Sequence, residues 1–260
     1  GGQVFEQSAV EEIADEPLVV TAAGHRVRCT HVVLATHNPI MGLAGILGAA
    51  LFQTKLALYS SYALGARIPR QAVSPVSFWD TAEPYHYLRI EPRGEHDYAI
   101  FGGEDHKTGQ VVHTGENYLR LEQSFRRLFP DAVVDARWSG QVIETTDGLP
   151  YIGELVPHQF GGTGFSGNGM TFGTLAAMMA VDWIAGRTNP WQALLAPGRK
   201  KAAVATYVAE NKDFPLHFLR DWIAPADRVA LGEIARGEGR VISLNGHKVA
   251  AHRQEDGGLS

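Results

Sequence analysis

Between residues 52 and 115 the chain alternates aromatic or β-branched positions with polar ones. Ser77-Phe78-Trp79, Tyr85-His86-Tyr87-Leu88-Arg89-Ile90 and Tyr98-Ala99-Ile100-Phe101 follow the period of strands. Pro92-Arg93-Gly94 and Lys107-Thr108-Gly109 supply turns between them. The pattern predicts an antiparallel sheet with strands long enough to wall a pocket. Upstream, Val4 to Val10 and Leu18 to Thr21 favour strands, Ala23-Gly24 a tight turn, and Arg26 to Cys29 a returning strand. Val32-Val33-Leu34-Ala35 is a continuous apolar run, as expected of a strand buried on both faces. Leu121, Phe125, Leu128 and Phe129 make the apolar stripe of a helix over 116–129, stopped by Pro130. Phe172, Leu175, Ala176, Met179 and Trp183 do the same over 170–185, with Gly186 as cap and Pro190 beyond it. Gly173 and Ala177 predict close packing of that helix on a strand. Residues 190–236 hold short helical patterns broken at Pro197, Pro215 and Pro225. Val241-Ile242-Ser243-Leu244, a turn at Asn245-Gly246, and Lys248 to Ala251 predict a hairpin.

Bulk properties narrow the function classes. The chain has 260 residues, 45% of them hydrophobic, enough for one large core or two smaller ones. A net charge of −5 and a pI near 6.1 leave no basic footprint for nucleic acid. No apolar run approaches the roughly 20 residues of a membrane span. The opening Gly-Gly-Gln-Val-Phe lacks the basic start and apolar stretch of a signal peptide, so the cytoplasm is the expected compartment. Cys29 is the single cysteine, which excludes a disulfide within the chain and argues against a cysteine-ligated metal cluster.

Two strings carry the candidate chemistry: Asp147-Gly148-Leu149-Pro150-Tyr151-Ile152-Gly153 and Gly164-Phe165-Ser166-Gly167-Asn168-Gly169-Met170-Thr171. The glycines of the second let backbone approach a ligand closely. The predicted helix start beside them offers free N–H groups and a partial positive charge. That suits an anion, either a phosphate or the N1–C2=O2 edge of a reduced flavin. The plain alternative is a loop that packs tightly before a helix. No strand with Gly-x-Gly-x-x-Gly precedes these two strings, although a dinucleotide-binding fold needs one for the pyrophosphate.

These two strings resemble the C-terminal flavin-binding signature of the FAD-dependent oxidoreductases related to D-amino-acid, glycine and sarcosine oxidases. Val32 to Thr36 is similar to that family's second nucleotide-contacting strand, and Val10 matches the position whose backbone meets the adenine. Gly198-Arg199-Lys200-Lys201, Glu210 to Pro215, Asp221-Trp222 and Gly237-Glu238-Gly239 with the following hairpin resemble a narrower subfamily, in which a C-terminal Rieske [2Fe–2S] domain is fused. The resemblance implies an α/β (mixed α+β) fold. Its expected parts are a partial FAD-binding three-layer domain over 1–50, resumed over 138–190, and an antiparallel substrate domain over 51–137. A helical linker over 191–236 and the start of a truncated Rieske-like domain over 237–260 complete it.

By the same resemblance the cofactor is FAD, held by Val10, Ala35, Thr36, Asp147, Gly148, Pro150, Gly164, Phe165, Ser166, Gly167, Asn168, Gly169, Met170 and Thr171. The expected partners are a small amine or amino-acid-like substrate and the missing N- and C-terminal parts of the same protein. A [2Fe–2S] cluster is expected in the parent only. A Rieske centre needs two Cys and two His ligands, no histidine here sits in a Cys-x-His or Cys-x-x-His pair, and no metal is assigned. The second departure is Val142, in Gly140-Gln141-Val142-Ile143, where glycine and D-amino-acid oxidases carry an Arg that grips the substrate carboxylate. Valine cannot make that pair. An amine such as a polyamine derivative, or a substrate held elsewhere, fits better. Tyr85, Tyr87, Trp138 and Val142 are the substrate-pocket candidates. Trp138 reads first as a core residue and second as one stacked near the flavin. His37 reads mainly as a capping or solvent residue at the end of its strand, and Lys200 and Lys201 as a solvated face. No catalytic side chain is assigned, because a neutral amine can give hydride without a side-chain base. The expected reaction is hydride transfer to flavin N5, with electrons passing to oxygen or to the fused cluster. The rival class is a non-catalytic electron-transfer or interaction module on a vestigial flavin fold.

Overall fold

The computed structural model describes residues 2–15, 18–22, 24–39, 52–111, 114–199, 230–244, 247–254 and 256–259. The chain divides into two compact units, Gly1–Asn211 and Lys212–Ser260.

Among the described residues the first unit is a mixed α/β structure with three sheets. Strands β1 (Val10–Asp15), β2 (Leu18–Ala22) and β3 (His25–Arg28) form an antiparallel meander. Strand β4 (Val32–Leu34) runs parallel to β11 (Gln159–Thr163), which pairs in turn with β10 (Tyr151–Val156). The largest sheet has five antiparallel strands. They are β5 (Leu56–Pro69), β6 (Ser77–Trp79), β7 (Tyr87–Arg93), β8 (His96–Lys107) and β9 (Val133–Thr145), in the order β6-β7-β8-β5-β9. Strand β9 carries this sheet through residue 138 to Thr145 before the chain turns into β10.

Helix α1 (Gly115–Leu128) covers one face of the large sheet. The alternation of β5 aims Tyr62, Leu64, Ala66 and Ile68 at it, joined by Leu88, Ile90, Ala99 and Phe101. Leu121 and Phe125 of α1 are fully buried among them. Leu128, expected in the same stripe, is 58% exposed. Phe129 just beyond is half buried against Phe125.

Helix α2 (Gly169–Ile184) packs on β10 and β11 through Met179 and Ala180, with Leu175, Ala176 and Trp183 half buried beside them. Gly186 caps it at φ 66°. A short helix, α3 (Gln192–Leu195), adds Leu195 to this cluster. Three expectations change. The first strand begins at Val10, and Val4 and Phe5 lie exposed ahead of it. Val33 is 46% exposed, because β4 is an edge strand of its sheet with one neighbour among the described residues. Gly173 and Ala177 do not press on a strand; they line a cleft of about 280 Å³ with Val33, Leu34, Phe160 and Phe165.

In the second unit, β12 (Gly239–Leu244) and β13 (His247–His252) form the expected hairpin. Its turn at Asn245-Gly246 lies outside the described residues. Ile242 and Ala251 bury themselves against Leu231, the first residue of a 3₁₀ turn over Leu231–Glu233, and Ile234, which follows it. Arg253 fastens the hairpin to that turn by donating to the carbonyls of Leu231 and Ile234. An isolated hairpin is marginal in water, and this apolar and guanidinium anchoring supplies what it lacks. Leu216, Phe218, Leu219 and Trp222, whose apolar side chains offer the hairpin a surface to dock on as the sequence reads, lie outside the described residues, as do Lys200 and Lys201. Among the described residues no group of His, Cys, Asp or Glu is arranged to hold a metal ion, and no helix is long and apolar enough to cross a membrane.

Phe125 sits at the centre of the larger core, so Phe125→Ala should destabilise the first unit by about 3–5 kcal/mol. Denaturant melts of the variant and the wild type check this.

Candidate functional site

Segments more than a hundred residues apart converge where β4 ends. Past Leu34 the chain turns through the exposed Ala35 and Thr36 to His37, which takes a left-handed φ of 62°. His37 Nε2 donates to the Gln141 carbonyl of β9 at 2.9 Å, so that nitrogen carries the proton. Thr163 Oγ1 at the end of β11 donates to the His37 carbonyl at 2.6 Å. Ser166 N–H donates to the Ile143 carbonyl of β9 at 2.9 Å. His37 is thus a tie between the parallel strand and the large sheet, a stronger role than capping.

The glycine string makes the joint tight. Gly164 takes φ 75°, and a Cβ there would stand 2.3 Å from Thr145 Cγ2. Ser166 and Gly167 follow with φ of 46° and 78°, which swing the chain into α2. Asn168 occupies the cap position but turns its side chain back to the Ser166 carbonyl. The N–H groups of Gly169, Met170 and Thr171 therefore keep the free donors of a helix start. All three residues are exposed, Met170 at 90%, and a Cβ on Gly167 or Gly169 would meet nothing within 4 Å. The helix start presents bare backbone to open space. Phe165 stands behind it against Phe172, with ring centroids 6.2 Å apart.

The other string is held by a residue to which the sequence assigned no role. Arg199 donates to both carboxylate oxygens of Asp147, at 2.8 and 2.7 Å, and to the carbonyls of Leu149 and Pro150. Its guanidinium also lies over the Tyr151 ring, 3.9 Å from the centroid. Asp147 further accepts from Thr145 Oγ1 and the Leu149 N–H. Its carboxylate is therefore engaged in bracing the turn, in which Gly148 takes φ 73° and Pro150 is fully buried. Lys55 Nζ donates to the Pro197 carbonyl nearby, and burial together with the Arg199 charge lowers its pKa.

The substrate-pocket candidates share one face. Tyr87, Gly102, Ala63 and Trp138 lie directly opposite one another across β7, β8, β5 and β9, on the face away from α1. Val142 follows on the same face, next to the two backbone ties from His37 and Ser166. The Tyr87 ring lies over Gly102, where a Cβ would come within 2.2 Å of it. Tyr85 stands beside it, with ring centroids 6.5 Å apart. Trp138 is 43% exposed and so is not a core residue, because no helix covers its side of the sheet among the described residues. Val10 stands apart from this constellation, at the start of the β1–β2–β3 meander.

The Asp147 carboxyl is held below the usual range first by hydrogen bonds from Arg199, against the opposing effect of burial. A depressed folded-state pKa contributes stability that is present above the unfolded value of about 3.9 and lost as pH falls through the folded value. Asp147→Asn should therefore cost on the order of 3 kcal/mol at neutral pH, because it strands a buried guanidinium. The gap to wild type should narrow below about pH 4. Denaturant melts across that range read both parts.

Residues 1–183 match the family described as FAD dependent oxidoreductase. A Bacillus subtilis (strain 168) protein named as a Rieske 2Fe-2S iron-sulfur protein, YhfW, is 25% identical over 266 residues, covering all of this chain and 51% of its own length. The glycine oxidase structure from Geobacillus kaustophilus superposes with a TM-score of 0.59 at 20% identity, over 76% of this chain and 54% of that one. The L-proline dehydrogenase structure from P. horikoshii gives 0.55 at 20%, over 73% and 53%. The chain spans about half the length of these relatives. The match over residues 1–183, together with the shared mixed α/β fold, places the chain in the family of FAD-dependent oxidoreductases typified by D-amino-acid oxidase.

Proposed function

We propose that the protein to which this chain belongs is an FAD-dependent oxidoreductase acting on a small amine or amino-acid-like molecule. One observation carries the reading most: the end of β4, the braced Asp147 turn and the glycine loop before α2 converge beside the open face of the large sheet. A site for a flavin beside a substrate needs that juxtaposition.

The residues present fit the cofactor. Gly167 and Gly169 leave room for close approach, and the exposed N–H groups of residues 169–171 suit the N1–C2=O2 edge, where negative charge gathers on reduction. Ala35 and Thr36 would contribute backbone contacts from the end of β4. Gly148 and Pro150 would shape the turn that Arg199 and Asp147 hold. Val10 would serve from the meander. Bound there, FAD supplies the acceptor for hydride from a C–H bond next to an amine nitrogen. The chain's own residues orient, brace and exclude. Tyr85, Tyr87, Trp138 and Val142 would line the substrate side. Electrons would leave to oxygen or to a Rieske cluster in the remainder of the protein. The name of the Bacillus relative and the hairpin at β12–β13 support the latter route. In that reading the helical stretch over 191–236 is a linker and 237–260 opens the cluster domain.

Two outcomes test this. The 260-residue chain alone should hold FAD poorly, because no strand with Gly-x-Gly-x-x-Gly precedes the two strings to hold the pyrophosphate; stoichiometric yellow flavin on the purified chain would sink the expectation. In the full-length protein, Gly169→Val should weaken flavin binding or its reduction by about 1–3 kcal/mol, the range for a lost charge-assisted contact. Flavin content and reduction potential are the readouts, and no change in either would turn the helix start away from the flavin.

A further inference from the structure

The face of the large sheet opposite α1 carries one acidic side chain whose placement needs an explanation. Strict alternation along β8 would send Asp105 to the α1 side with Phe101. A bulge prevents this. The β5–β8 register shifts between Ser60 and Tyr62, and Gly103 and Glu104 both take positive φ, 154° and 58°. For glutamate the left-handed conformation is unfavourable, and such bulges re-aim side chains. Glu104 turns to α1, where its carboxylate takes Arg120 and its carbonyl accepts from Asn117. Asp105 turns to the opposite face, where the Ser61 hydroxyl bonds to its carboxylate.

The second carboxylate oxygen, Oδ1, is shielded from solvent and has no hydrogen-bond partner. A buried acceptor of this kind costs free energy unless something satisfies it. Protein cations do not supply that partner. The imidazoles of His86 and His106 reach Asp105 only by their charge; His86 is held by Asp80 and stacked on Phe101, and His106 bonds to Tyr62. Tyr85 and Tyr87 stand within electrostatic range of Asp105 on its own face, and Glu144 adds negative charge near Tyr85. Burial raises the pKa of Asp105, of Tyr87 and, at a more open position, of Tyr85, and the Asp105 charge raises both tyrosines further. A carboxylate with an open acceptor beside two aromatic rings recognises an organic cation by charge, hydrogen bond and ring face together.

Resting on the proposed function, we infer that Asp105, Tyr85 and Tyr87 form a subsite for an ammonium group of the substrate, so that the substrate class is a di- or polyamine. Val142 on the same face adds no countercharge for a carboxylate. The Gly103–Glu104 bulge exists to aim Asp105 into this subsite.

The test is isothermal titration of the full-length protein with putrescine and with n-butylamine, which differ by the second ammonium. Wild type should bind putrescine at least about tenfold tighter, equivalent to roughly 1.4 kcal/mol. Asp105→Asn, nearly isosteric, should bring the ratio close to one, with melting temperature and FAD content unchanged. A ratio near one in the wild type, or an unchanged ratio in Asp105→Asn, overturns the subsite. If that variant fails to fold, Tyr85→Leu at an exposed position reads the same site. It should bind putrescine about threefold more weakly, and unchanged affinity overturns the inference. A full-length protein without flavin would end the proposed function, yet the same titration on it still decides the subsite.

Discussion

The guanidinium of Arg199 holds the joint on which the first unit depends. At Thr145 the chain leaves the large antiparallel sheet, and at Tyr151 it enters the mixed sheet of β10, β11 and β4. The turn between them has to be rigid if the two sheets are to present one site. Arg199 meets both oxygens of Asp147 and two backbone carbonyls of the turn, with side chains only 9% and 14% exposed. A planar fork with several fixed donors suits this task, which a lysine point charge would not. Desolvating the pair is costly, and the further hydrogen bonds and the Tyr151 face offset that cost.

From this joint the site follows by short links. Thr145 bonds to the turn and also forces glycine at position 164. Gly164 opens the loop whose Ser166 is tied to Ile143, and that loop ends in the exposed start of α2. His37 closes the arrangement from β4. The polar groups that fasten the site are mostly backbone carbonyls and side chains turned inward. The groups left free are helix N–H donors and an open carboxylate oxygen, which is the inventory of a site that binds rather than packs.

Much of this was legible in the chain. Period-two alternation placed the large sheet, and the apolar stripe with Pro130 placed α1, because burial on one face imposes those periods wherever the fold puts the element. The glycine string was legible because Gly164 and Gly167 take left-handed φ values that favour glycine, and a Cβ at Gly164 would meet Thr145. Local patterns failed where burial depends on what a distant segment covers. Leu128 continues a stripe yet lies exposed, Val33 sits in an apolar run yet lies at a sheet edge, and Trp138 is exposed on the open face.

The sequence by itself therefore determined most of the elements and the glycine-rich strings. Only the tertiary structure decided which residues meet. Arg199 and Asp147 are separated by 52 positions and His37 and Gln141 by 104, and no periodicity marks either pair. The direction of Asp105 was also hidden, because a single extra residue in a bulge inverts every face downstream of it. Local preference acts over a few residues, whereas long-range hydrogen bonds and strand register are set by the whole packed chain, and that is where the site was made.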